Sequence, residues 1–180
     1  MALSPATGAY QLTAILAVRP SEEGELAARL AELAALDASP FGRLAATHYV
    51  RLAPFDRLGA DRPGEEIEHL DATYLLTSIV FDGDPDRYLM TLARVCRREV
   101  EEIFGCCDGW PGRDDLVAFA AWIRQHEYGP LHRFGALPVT APQIVAALAQ
   151  RDRLIGFAVD TQDLAAEELH AAYLREFSGP

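Results

Sequence analysis

Lysine is absent: all 16 basic residues are arginine. This excludes Schiff-base chemistry and the phosphate-gripping lysine of a P-loop. Cysteine is scarce, with only Cys96, Cys106 and Cys107, a usage that agrees with a reducing compartment. None of the three is spaced as CxxC, so no cysteine metal site is expected. No apolar run approaches the ~20 residues of a membrane span. The opening MALSPATGAY lacks a basic region followed by an apolar core, so no signal peptide is expected and the cytoplasm is the expected compartment. GxSxG, HExxH and GxGxxG are missing as well, which removes the usual support for hydrolase, metalloprotease and nucleotide-dependent readings. Positive charge is in deficit: the formal net charge is −11 and the pI about 4.8. Phosphate backbones and anionic membranes repel such a chain, so neither nucleic acid nor membrane is an expected partner. The all-arginine, alanine-rich usage resembles that of a GC-rich bacterial genome.

What is present centres on residues 75–111. Residues 75–81 (LLTSIVF) are apolar and β-branched, as in a covered strand. Asp82-Gly83 breaks the strand, Asp84 can cap the next helix, and Pro85 suits its first position. Tyr88, Leu92, Val95, Cys96, Val100 and Ile103 recur at helical spacing and predict one long helix with a single core face. The expected main core is Leu12, Leu16, Leu26, Leu30, Leu76, Tyr88, Leu92, Val95 and Ile103.

Around this stretch the chain predicts a strand over 10–18, then a helix capped by Ser21 and carrying Leu26, Leu30 and Leu33. A second strand follows over 43–52, with Leu44, Ala46, His48, Val50 and Leu52 on one side. Ala45, Thr47, Tyr49 and Arg51 fall on the other. Residues 53–69 are rich in Pro, Gly and charge and read as a flap. Strand three covers 71–81. A helix over 114–126, a fourth strand over 131–137, a helix from the capping box at Thr140–Gln143, and a last helix from Asp160 or Thr161 complete the order. At 180 residues one domain is expected, with its core over about 10–137 and C-terminal helices over about 140–178.

The fold class expected is α+β: a ferredoxin-like βαββαβ antiparallel sheet with additional C-terminal helices. Both strand faces are partly apolar, so the open face needs a cover. A second copy, as in a dimeric α+β barrel, would enclose a pocket between sheets, and a homodimer is the expected assembly.

Three motifs carry a resemblance. THYVRL, IVFDGDPDRYLMTL and IFGCCDGWPG together resemble a bacterial ferredoxin-like domain family that reads HFAR, NFDGDxDxYL and an HCEGYP-like turn. Such domains occur alone or beside haem and lipid-oxidising enzymes, and their fold is distantly similar to dye-decolourising peroxidases. The resemblance spans about 10–157 and implies the same fold. Tyr49 and Val50 depart from it, as do Cys106 in place of His, Asp108 in place of Glu and Trp110 in place of Tyr.

The candidate chemistry lies mostly on the second strand. His48 reads as an acid–base group, a hydrogen-bonded core histidine or, as an alternative, a haem ligand. Its apolar company turns it towards the helices, whereas the HFAR-like motif brings it to a pocket. Tyr49 and Arg51, with Thr47, and with Thr13 on the first strand, suit an anionic ligand on the open sheet face or an interface. His126 and His132 flank Gly129-Pro130 and could wall a pocket. Cys106-Cys107 reads as two ordinary thiols, one buried and one at the surface. The acids of DGDPD read as helix caps, since the rest of an EF-hand is missing.

Two functions follow. One is an enzyme without a bound cofactor, of cyclase or oxygenase type. It would act on an apolar or aromatic, polyketide-like small molecule, with catalytic His48, Tyr49 and Arg51 and ligand-binding Thr13, Thr47, His126 and His132. The other is a non-catalytic dimeric binding or accessory module for an oxidative haem enzyme.

Overall fold

The computed structural model describes residues 9–59, 66–129 and 139–177. The chain divides into two compact units, Met1–Ala141 and Pro142–Pro180.

The first unit is built on a three-stranded antiparallel sheet in the order β1-β3-β2. Its strands are β1 (Ala9–Ala17), β2 (Thr47–Leu58) and β3 (Glu68–Asp82). β3 lies between the other two, so β1 and β2 run the same way, joined through α1 (Glu23–Ala34). α2 (Pro85–Val95), α3 (Arg97–Phe104) and α4 (Leu116–Gln125) follow the sheet. The α+β class is therefore observed. The fourth strand expected over 131–137 lies outside the described residues. The outer edge of β1 instead carries two short bridges, Ala14 to Glu127 and Val18 to Cys107. There the Tyr128 N–H donates to the Thr13 carbonyl at 2.7 Å and the Asp108 N–H to that of Ala17 at 2.8 Å.

The core fills the space between one sheet face and the helices. Leu12, Ala14 and Leu16 of β1 and Leu75, Ile79 and Phe81 of β3 point into it. They meet Leu89 and Leu92 of α2, Ile103 and Phe104 of α3, and Phe119 and Ile123 of α4. Leu75, not the expected Leu76, is the buried residue: β1 pairs Leu16 with Leu75 and Leu12 with Ile79, and that register fixes the face.

Four further expectations are corrected. Both ends of the expected flap are strand, because β2 runs to Leu58 and β3 begins at Glu68. The long helix breaks at Cys96, whose φ of −105° and ψ of 39° separate α2 from α3. The buried stripe centres on Leu89, Leu92 and Cys96, which leaves Val95 at its edge and 39% exposed. Ser21 lies in a short 3-10 turn (Pro20–Glu22), and Glu22 occupies the cap position of α1. Asp84 does cap α2, accepting the Arg87 N–H at 2.9 Å, with Pro85 at the start. Just past β1, the Arg19 guanidinium donates to the carbonyls of Gly105 at 2.5 Å and Cys107 at 3.1 Å, closing the C-terminal end of α3.

The second unit consists of α5 (Ala141–Asp160, its first residue in the first unit) and α6 (Ala166–Phe177). The last helix starts later than expected, leaving Leu164 in the connection. Phe157, Tyr173 and Phe177 cluster between the two helices, and Arg153 lies over the Phe177 ring while pairing with Glu176 at 2.7 Å. No side chain of 142–177 is buried.

Candidate functional site

β2 begins with a bulge. Thr47 pairs with Phe81 and Tyr49 with Val80, so His48 is the extra residue. The bulge resets the alternation of faces. Thr47 turns to the helix side, where its hydroxyl meets the Tyr88 hydroxyl at 2.8 Å. Tyr49 turns to the opposite face and is 51% exposed. The expectation that Thr47 shares a face with Tyr49 and Arg51 is thereby corrected.

His48 itself is largely buried and its Nε2 lies 2.8 Å from Asp82 Oδ1. The other Asp82 oxygen accepts the Ala141 N–H at 2.8 Å, while the Asp82 N–H donates to Ala46 at 2.9 Å. Asp82 thus ties the end of β3 to the start of β2 and to residue 141. Ligation of a haem iron through Nε2 would require His48 to give up this carboxylate. Asp82 was not singled out as a partner from sequence; the signal was its place in DGDPD, read only as a cap.

Beside this knot lies a cleft of about 610 Å³. One wall is the 3-10 turn Pro40–Arg43 with the residues that follow it: Arg43, Leu44, Ala45 and Ala46. The other is the β3–α2 turn and one face of α2: Asp82, Gly83, Asp84, Arg87, Tyr88, Thr91 and Val95. Gly83 has φ of +99°, a conformation other residues rarely adopt, which lets the chain turn from β3 into α2. Tyr88 stacks on Phe81 at 3.8 Å between ring centroids, and Phe81 on Tyr10 at 5.4 Å. Burial pushes the Tyr88 hydroxyl above the ordinary phenol range. Arg43 is already paired, through Glu99 at 2.6 Å and Pro40 at 2.9 Å.

The remaining candidates lie elsewhere. Four cross-strand rows make up the other sheet face: Gln11–Val80–Tyr49, Thr13–Ser78–Arg51, Ile15–Leu76–Ala53 and Ala17–Tyr74–Phe55. Thr13 and Arg51 therefore flank Ser78, roughly 10 Å apart by strand spacing, and Thr13 Oγ1 is 3.5 Å from Ser78 Oγ. This face is polar at one end and apolar at the other. His126 sits at the β1 edge, its Nδ1 2.8 Å from the Trp122 carbonyl and its ring edge-on to Trp122. Its neighbour Glu127 accepts the Tyr10 hydroxyl at 2.8 Å. His132 lies outside the described residues. The structure therefore brings Thr47 and His48 together beside the cleft and separates them from Thr13, Tyr49, Arg51 and His126.

The cysteines are all free and all buried, so the expected surface thiol is corrected. Burial, with the Cys106 thiol beside it, pushes the Cys107 thiol up to about 12. Among the described residues no group of three or more His, Cys, Asp or Glu could hold a metal ion. No helix in the described part is long and apolar enough to cross a membrane.

Compared with known proteins, the chain matches no family model, no curated protein and no solved structure.

Proposed function

We propose that this protein is a non-catalytic, dimeric binding module that holds an apolar or aromatic small molecule in the cleft between residues 43–46 and 82–95. One contrast carries this reading. The cleft has the size and mainly apolar lining of a small-molecule site. The acid–base groups beside it are already engaged: His48 by Asp82, Asp82 also by Ala141, and Tyr88 by Thr47. A catalytic base must also reach its substrate, and His48 is not among the residues that line the cleft.

A second reading, the cofactor-free acid–base enzyme, is favoured by one observation. An imidazole oriented by a carboxylate, as His48 is by Asp82, is the arrangement general bases use. We further read the sheet as the centre of a ferredoxin-like unit. The strand order β1-β3-β2, with both outer strands antiparallel to β3, supports this.

Native mass spectrometry of freshly purified protein, with thermal shift against aromatic and acyl compounds, tests the function. A bound compound that raises the melting temperature, leaves unchanged after incubation and is lost in Val95→Trp supports the binding module. A bound compound that is converted by the parent but not by His48→Gln supports the enzyme. No bound compound and no shift would overturn both.

A further inference from the structure

The cleft is graded along its length. α2 presents Arg87, Thr91 and Val95 to it at successive turns, so that wall passes from a cation through a hydroxyl to an exposed aliphatic group. The facing wall runs alongside, with Leu44, Ala45 and Ala46 supplying apolar surface. By helical rise the distance from Arg87 to Val95 is roughly 12 Å.

The charges in the lining differ in how far they are committed. Arg43 is held by Glu99 and Pro40. Asp82 is held by His48 and the Ala141 N–H. Asp84 is the N-cap of α2, where the positive end of the helix dipole offsets its charge. Arg87 is exposed and, among the described residues, its guanidinium makes no salt bridge. A guanidinium stays protonated at all working pH values and offers a planar fork that matches a carboxylate or sulfonate.

Resting on the binding reading above, we propose that the ligand is an amphipathic organic anion. Its acid group meets Arg87, and an aromatic or acyl body roughly 12 Å long lies along Thr91 towards Val95 and Leu44. Size and apolar lining alone would accept a neutral molecule equally well. The uncommitted cation at one end, with an aliphatic side chain left exposed at the other, selects an anion with a defined orientation.

A matched pair of fluorescent probes tests this. Anilinonaphthalene sulfonate and N-phenylnaphthylamine share their aromatic body and differ in the sulfonate. At low ionic strength the full-length chain should bind the sulfonate about tenfold more tightly, the effect of one charge-assisted contact. Arg87→Gln should remove that preference while leaving the neutral probe bound, and Arg87→Lys should restore part of it. Val95→Trp should displace both probes. Equal affinities in the parent, or a preference that survives Arg87→Gln, would overturn the anion assignment. Probe binding unchanged in Val95→Trp would overturn the cleft as the site, whatever its charge preference.

Discussion

Thr47 and Tyr49 stand on opposite faces of the sheet although they lie two positions apart in β2. Thr47 reaches the Tyr88 hydroxyl on the helix side, at 2.8 Å, while Tyr49 pairs across to Val80 on the other face. In a regular strand, residues two apart share a face. The His48 bulge between them divides the strand's polar side chains into two groups. Thr47 and His48 belong to the cleft side; Tyr49 and Arg51 belong to the open face with Thr13.

The division predicts different costs for neighbouring substitutions. His48→Ala removes a partner from a largely buried Asp82 and should lower stability by about 1–3 kcal/mol. Arg51→Ala, at an exposed position, should stay within roughly 0.5 kcal/mol of the parent. Urea denaturation of both variants checks this, and the reverse order would contradict the bulge geometry.

A second pair tests the packing of α2. Leu92 is 1% exposed, and Leu92→Ala should cost about 2–5 kcal/mol. Val95 lines the cleft, and Val95→Ala should remain in the surface range of roughly 0.5 kcal/mol. Equal losses in chemical denaturation would restore Val95 to the core.

Much of the fold was legible because local signals agreed with the tertiary result. β1 alternates cleanly, Asp84-Pro85 marks a helix start, and Leu26, Leu92 and Ile103 sit on marked apolar stripes. The misreadings have physical causes. LLTSIVF is apolar on both faces, so only its pairing with β1 decides between Leu75 and Leu76. A bulge inserts one residue without any composition signal, which inverted Thr47. Pro54 and the charges of 53–58 disguised a strand whose position at the sheet edge tolerates them. The cleft was not foreseen because its walls come from segments 43–46 and 82–95, which only the sheet register brings together.

Alkaline pH should destabilise the fold. Cys107, held near 12 against an ordinary thiol value near 9, keeps its proton in the folded chain while the unfolded chain loses it. The folded state is therefore favoured below about 9 and loses that advantage as pH rises towards 12. Burial raises Cys96, Cys106, Tyr10 and Tyr88 in the same direction. The urea midpoint should fall steadily from pH 8 to 10, and native thiols should react with a disulfide reagent far more slowly than denatured ones. A midpoint that rises over that range would contradict the buried thiols.

Assembly follows from the C-terminal hairpin. Val145, Ile155 and Val159 are 66%, 55% and 59% exposed, and the two helices bury no side chain between 142 and 177. Helices of this length draw their stability from packing an apolar face. We expect a homodimer at micromolar concentration by sedimentation, with Ile155→Glu shifting it towards monomer. A parent chain that sediments as a monomer would contradict this.

The most direct test of the cleft is amide chemical-shift mapping by NMR on the full-length chain, titrated with anilinonaphthalene sulfonate. The account predicts that shifts concentrate at residues 43–46 and 82–95, with Arg87 and Val95 marking the two ends. Shifts concentrated instead at Thr13, Tyr49, Arg51 and Ser78, on the other face of the sheet, would contradict it.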